Sequence, residues 1–290
     1  MHAFGLTVPG MLHDDRGMRD HIEFVQAQRL PWRDGGEFGL PGRQLKLLSR
    51  DAQTGAFSCI LRFPEGWLEP DRALPVDVEL YVLDGCIRLS GVDYAEDGYA
   101  FLPAGFACAG AGTPSGATVL TFFSGAFAGE ARTRFDEGRL VRKVDLADGV
   151  WDGAFDRFGL ASMNDRARMR VLRDDPLTGE NTYITATVPF RHGERAERHP
   201  VVQEFFVLAG ELAGNTGTMQ AGAYCFRPEM IAHGPYGSRT GALILFRSLG
   251  GAQATFWQDA PPFTFTPRHG PVLPASLAGF GDPLARPPRY

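Results

Sequence analysis

Short runs of alternating apolar and polar residues fill most of this chain, and Gly, Pro or Asp punctuates them. Phe57, Cys59, Leu61 and Phe63 make one stripe, and Tyr183, Thr185 and Thr187 make another. Successive side chains of a strand point to opposite faces, so period-two alternation predicts strands with one face buried. The 3.6-residue period of an amphipathic helix is nearly absent. Strands at roughly ten-residue spacing, parted by turn residues, predict an all-β barrel or sandwich rather than βαβ units.

The pattern occurs twice. VELYVLDGCIRLSG around Glu79 returns as QEFFVLAGELAGNTG around Glu204, and GYAFLPAGFAC (Gly98–Cys108) returns as GAYCFRPEMIAH (Gly222–His233). An offset of 125 residues relates Glu79 to Glu204, Gly85 to Gly210, Pro103 to Pro228 and Cys108 to His233. Upstream, Arg43–Gly66 matches Arg168–Gly193, with Thr-Gly hairpin turns ending at Gly55 and Gly179. Trp32 and Trp151 are further equivalents, after a small insertion. A repeat of this length is a duplicated domain. The expected organisation is an N-terminal arm (1–24), a first barrel (25–127), a charged crossover linker (128–150), a second barrel (151–260) and a tail (261–290). The tail holds eight of the 21 prolines. Proline cannot donate to a central ladder, so the tail is expected to wrap the surface or a partner subunit. Gly85 is expected to mark a tight turn within LYVLDGCIRL.

Each copy resembles a cupin, the small double-stranded β-helix or jelly-roll barrel. Glu197-Arg-His199, Gln203-Glu204 and Gly210 sit on the family's first motif, and Gly222, Pro228 and His233 on its second. The first copy keeps Gly85, Gly98, Pro103 and Gly105. The chain therefore resembles a bicupin over roughly residues 30–250. The string His199–Leu212, HPVVQEFFVLAGEL, is similar to the subgroup around the cupin domain of the anti-sigma factor ChrR. That subgroup includes dioxygenases cleaving acetylacetone and dihydroxyacetophenone. The resemblance implies one divalent metal in the second barrel, Fe first, with Mn, Ni or Zn as alternatives. His199 and His233 would be ligands, with Glu197 where the family usually has its first histidine.

The remaining ligand place has two readings, Gln203 and Glu204. Val78, Leu80 and Val82 form an apolar face in the first copy, and by that parity Gln203, Phe205 and Val207 line the second barrel. Glu204 would then face outward and share a structural job with Glu79, such as pairing with Arg; a β-bulge would reverse this. His192 is a reserve ligand. The first copy has Arg72, Leu74, Val78 and Cys108 at the ligand positions, a set that predicts no metal. Phe205, Tyr224, Phe226 and Tyr236 are the expected substrate-pocket residues, and Arg191 or Arg247 could meet an acidic substrate.

Charge narrows the function classes. A net charge of −5 and a pI near 5.8 argue against a nucleic-acid surface. No apolar run reaches transmembrane length, and residues 1–20 lack a secretory-signal pattern. Four cysteines without CxxC spacing read as reduced thiols, which fits a cytoplasmic protein. The expected partner is a small-molecule substrate, and a homodimer is the default assembly. The expected function is a non-haem Fe(II) dioxygenase acting on a small carbonyl or phenolic compound. The alternatives are a metal-dependent isomerase or lyase, or a ligand-binding or sensory bicupin without turnover.

Overall fold

A computed structural model describes residues 19–131, 134–151, 154–160 and 166–284. Most of the expected N-terminal arm and the last six residues of the tail lie outside the described residues. The described residues form strands and short 3-10 turns, with no α-helix among them. None of the helical segments is long and apolar enough to cross a membrane.

The main strands of the first half are β1 (Ile22–Gln26), β2 (Gln44–Arg50), β3 (Phe57–Phe63), β4 (Val78–Leu89), β5 (Gly98–Leu102), β6 (Ala117–Phe123) and β7 (Val141–Asp145). Those of the second are β8 (Ala167–Asp174), β9 (Asn181–Thr187), β10 (Ala196–Arg198), β11 (Val202–Gly214), β12 (Ala223–Arg227), β13 (Ala242–Leu249) and β14 (Phe256–Gln258). One antiparallel sheet runs β7-β5-β4-β6-β3-β2, and the other runs β1-β12-β11-β13-β9-β8. The two orders are the same once the repeat offset is applied. Shorter strands close the opposite face of each half, giving two tandem jelly-roll barrels of the cupin type.

The flanking strands are exchanged between the halves. β1 opens the chain yet pairs with β12 of the second sheet, Gln26 opposite Ala223. β7 lies in the segment expected as a linker, yet it pairs with β5 of the first sheet, Asp145 opposite Gly98. Gln26 and Asp145 lie 119 residues apart, the same spacing as Trp32 and Trp151. The leading strand of each repeat therefore completes the other repeat's sheet. Within the expected linker 128–150, Val141 and Val144 on β7 pack on the interface core, and Arg142 and Lys143 between them are exposed.

Two apolar interiors and one shared interface result. Leu74, Val78, Leu80, Val82 and Cys108 pack with Phe57, Phe63 and Phe123 inside the first barrel. Phe205, Val207, Leu212, Met219 and Ile244 pack inside the second. Tyr81, Tyr99, Leu120 and Phe122 meet Ile184, Phe206, Tyr224 and Leu245 between the barrels. The described part of the prolyl tail packs along β1: Glu23 and Gln26 backbone N–H groups donate to the carbonyls of Val272 and Phe280, and Leu273, Leu277 and Phe280 pack on the interface core.

The hairpins form as expected. Asp51 and Asp175 side chains each accept from two backbone N–H groups in their loops, and Gly55 and Gly179 have φ of 71° and 74°. Gly85 and Gly210 are a correction. β4 and β11 run straight through them, and each glycine sits beside a register shift with φ of 79° and 73°. A Cβ on Gly85 would stand 2.4 Å from the Gly116 carbonyl oxygen, and one on Gly210 2.1 Å from that of Gly241. These glycines allow a bulge with close backbone approach.

Candidate metal centre

Three potential ligands converge in the second barrel. Glu197 lies on β10, His199 follows that strand, and His233 follows β12. An antiparallel bridge joins Glu197 to His233, each backbone N–H donating to the other's carbonyl at 2.9 Å. β14 supports β10 from its other edge, with Trp257 opposite Glu197. In the first barrel, Arg72 and Cys108 face each other in the same way. Both barrels thus supply the backbone for the pair, and the side chains alone separate them. Arg72 pairs with Glu69, and Cys108 is buried, its thiol pushed up to about 11 chiefly by that burial. Leu74 and Val78 fill the remaining space, and the space left in that barrel is about 70 Å³ against about 370 Å³ in the second.

The ligand atoms of Glu197, His199 and His233 all lie within 4.8 Å of one another. The Nδ1 of His199 is 2.9 Å from the Ala254 carbonyl oxygen, and that of His233 is 3.0 Å from that of Ile231. A carbonyl only accepts, so each Nδ1 carries the proton and each Nε2 keeps its lone pair. Glu197 Oε2, His199 Nε2 and His233 Nε2 are buried without a hydrogen-bond partner. Buried polar atoms are normally satisfied, so three convergent orphan acceptors fit a divalent cation. Burial and the Arg227 charge hold the His233 imidazole below its ordinary pKa, which preserves that lone pair. His233 Nε2 stands 3.5 Å from Glu197 Oε1, and although burial would push the Glu197 carboxyl up, this contact and the Arg227 charge favour its ionised form.

The second-barrel cavity contains Gln203, Phe205 and Tyr236 besides this trio. Gln203 Oε1 accepts from Arg227 Nη1 at 3.1 Å, and Arg227 Nη2 donates to the Tyr236 hydroxyl at 2.9 Å. Glu204 takes the outward place that strand parity predicts, and four other expected positions are corrected. Glu204 faces the interface because β11 stays regular until its register shift beyond Val207. Tyr224 and Phe226 alternate with Cys225 on β12 and point into the interface core. Arg247 lies in that interface too, bonded to Glu79 and Glu204. His192 is exposed at the rim, its ring stacked on Phe263 at 5.5 Å. Arg191 does line the cavity.

Arg227 and Gln253 were not singled out from the sequence. The signal for Arg227 was present: its offset partner is Leu102, on the same inward parity that separates His199 from Leu74. Conversely, Tyr224 shares its identity with Tyr99, as Glu204 does with Glu79, and both shared pairs lie in the interface.

The fold is two cupin-type jelly-roll barrels, and the described residues hold one candidate metal centre, in the second. Residues 35–254 match the family described as a domain of unknown function, DUF4437, and the chain belongs to that family. No curated protein matches it in sequence. A candidate dioxygenase from Nostoc punctiforme has a similar structure, with a TM-score of 0.71, 17% identity and coverage of 84% of this chain and 87% of that one. The Ylba protein of Escherichia coli gives 0.56 at 13% identity, over 86% and 97% of the two chains. A tryptophan-to-phenylalanine variant of Bacillus subtilis oxalate decarboxylase gives 0.53 at 10% identity, over 81% and 78%. Likeness at these identities establishes the fold, and the chemistry rests on the site.

Proposed function

We propose that this protein is a metal-dependent cupin enzyme, and within that class a non-haem Fe(II) dioxygenase of a small carbonyl or phenolic compound. The observation that carries the reading is the convergence of Glu197 Oε2, His199 Nε2 and His233 Nε2, buried and without a hydrogen bond, on one cavity. Two imidazoles and a carboxylate would hold Fe(II), which when bound supplies a redox-active Lewis acid with coordination positions open to substrate and O₂. Ala254 and Ile231 carbonyls fix the imidazole tautomers and aim the rings. Phe205, Tyr183 and Phe246 wall the cavity and exclude water from its apolar side. The similarity of His199–Leu212 to the diketone- and dihydroxyacetophenone-cleaving subgroup supports the finer reading.

Elemental analysis and oxygen-electrode assays test it. Purified protein should retain close to one divalent metal, and His199→Ala and His233→Ala should each lose it. Iron-loaded protein should consume O₂ with some member of a panel of diketones and phenols. Protein that neither retains metal nor consumes O₂ overturns the proposal and favours ligand binding without turnover.

A further inference from the structure

Between the barrels, two buried carboxylates are surrounded by donors. Glu204 accepts from Arg19, Ser58, Tyr224 and Arg247, and Glu79 accepts from Tyr99, Thr182 and Arg247. Two side chains of the cavity, Gln253 and Arg227, are buried with a polar atom that lacks a partner, as Arg173 is at the interface. Gln253 is 5% exposed, and its Oε1 accepts from the Tyr183 hydroxyl at 3.1 Å and the Ser248 hydroxyl at 2.7 Å. With the amide in this orientation, its Nε2 is buried without an acceptor. Arg227 is 2% exposed, and its guanidinium hydrogen-bonds neutral groups, Gln203 and Tyr236. Its carboxylate partner, Glu23, stands 3.6 Å away, and its Nε has no acceptor.

The carboxylates near Arg227 are Glu23, at 3.6 Å, and Glu197, both beside rather than on its unmatched Nε, and an unmatched buried N–H costs free energy. The orphan acceptors of the cavity are explained by a metal; its orphan donors call for an oxygen-rich, negatively charged ligand. Both donors line the same cavity as the metal trio, together with Arg191. Their offset partners in the first barrel are Leu102 and Ala128, which offer nothing comparable.

We propose that the cavity takes a small organic carboxylate, with Arg227 and Gln253 donating to its oxygens and the rings of Phe205, Tyr183 and Phe246 flanking its apolar part. This deepens the reading of the cavity as a substrate site and is independent of the metal's identity. The test is calorimetric titration of the full chain, chelator-treated and iron-loaded, with benzoate, phenylacetate and pyruvate against the matching amides. At least one acid should bind, about tenfold or more tighter than its amide in both forms. Gln253→Glu keeps the size and both hydroxyl contacts but replaces the donor with a negative charge. It should weaken acid binding by about tenfold or more and amide binding much less, since only the acid meets charge repulsion. Arg227→Met, accepted only if its unfolding midpoint stays near wild type, should do the same. No binding by any acid, equal binding of acids and amides, or equal weakening of both in Gln253→Glu overturns the proposal. The chelated arm separates this outcome from failure of the iron chemistry.

Discussion

Glu204 shows how one residue's parity decides its role. Gln203 and Glu204 are neighbours, and a regular strand sends them to opposite faces, one toward the cavity and one into the interface between barrels. At 0% exposure, a lone carboxylate would be forbidding in cost, so the fold surrounds it with Arg19, Arg247, Ser58 and Tyr224. Burial would raise the Glu204 carboxyl, but Arg247, Arg19 and the hydroxyl donors outweigh it and hold it below its ordinary value. Glu79 behaves likewise, with burial opposed by Arg247, Arg173, Thr182 and Tyr99. A carboxyl depressed in the folded state stabilises fully above its unfolded pKa, near 4.5, and that stability is lost as pH falls through the lower folded value. Urea midpoints should therefore be insensitive to these two groups near neutrality and drop below about pH 4.5. Glu204→Gln should cost about 3–5 kcal/mol at pH 7, because Arg19 and Arg247 lose a buried partner, and should flatten the acid dependence. An unchanged acid slope in the variant would remove Glu204 from this account. The outward parity of Glu204 was legible from the Val78, Leu80, Val82 stripe, and the sharing of Glu79 and Glu204 marked a structural pair. The number of partners was not legible, since Arg19 lies 185 residues away in sequence.

At the scale of the element, β11 carries two jobs on one strand: Gln203 and Phe205 face the cavity, and Gly210 lets the strand bulge against the loop at Gly241. The sequence shows a glycine flanked by strand residues, and a tight turn is the nearest local explanation for it. The bulge depends on the partner strand, β13, where the pairing slips between Val207 and Ala209. Local sequence carries no record of that partner. Gly210→Ala combines a φ of 73° with a Cβ placed 2.1 Å from a carbonyl oxygen. It should cost about 2 kcal/mol or more in urea unfolding. Gly91→Ala is the control: its φ is 75°, but a Cβ there meets nothing within 4 Å. It should cost only about 1 kcal/mol, the backbone penalty alone. Equal costs at the two positions would mean that close approach contributes nothing at Gly210. The neighbouring β12 shows the same dependence on context. Its aromatic residues Tyr224 and Phe226 look like pocket lining until the pairing with β11 sets Cys225 and Arg227 inward.

The whole molecule is more tightly joined than a tandem repeat requires. Each barrel's flanking strand comes from the other repeat, the interface buries aromatic residues from both sides, and Arg247 bridges Glu79 to Glu204 across it. The duplication and the all-β architecture were legible because period and offset are local properties. The exchange was not, because β1 and β7 are short and their partners are chosen by which sheet edge is open. Residues 151–284 expressed alone would lack β1, leaving the β12 edge and the face of Tyr224, Phe226 and Leu245 exposed. That fragment should aggregate or stay unfolded by circular dichroism and sedimentation, whereas the full chain should unfold in one transition. A folded, monomeric fragment would show that the barrels are independent. The exchange also sets an order of events during synthesis. Gln26 reaches the ribosome exit early, but its partner Ala223 is 197 residues further along the chain. At about 5–20 residues per second, the strand IEFVQ waits on the order of ten to forty seconds for the edge it completes. The first barrel can close as soon as residues 141–145 emerge, so the nascent chain carries a finished barrel and an unpaired apolar strand side by side. Holding that strand away from other chains is the kinetic burden this topology places on the cell.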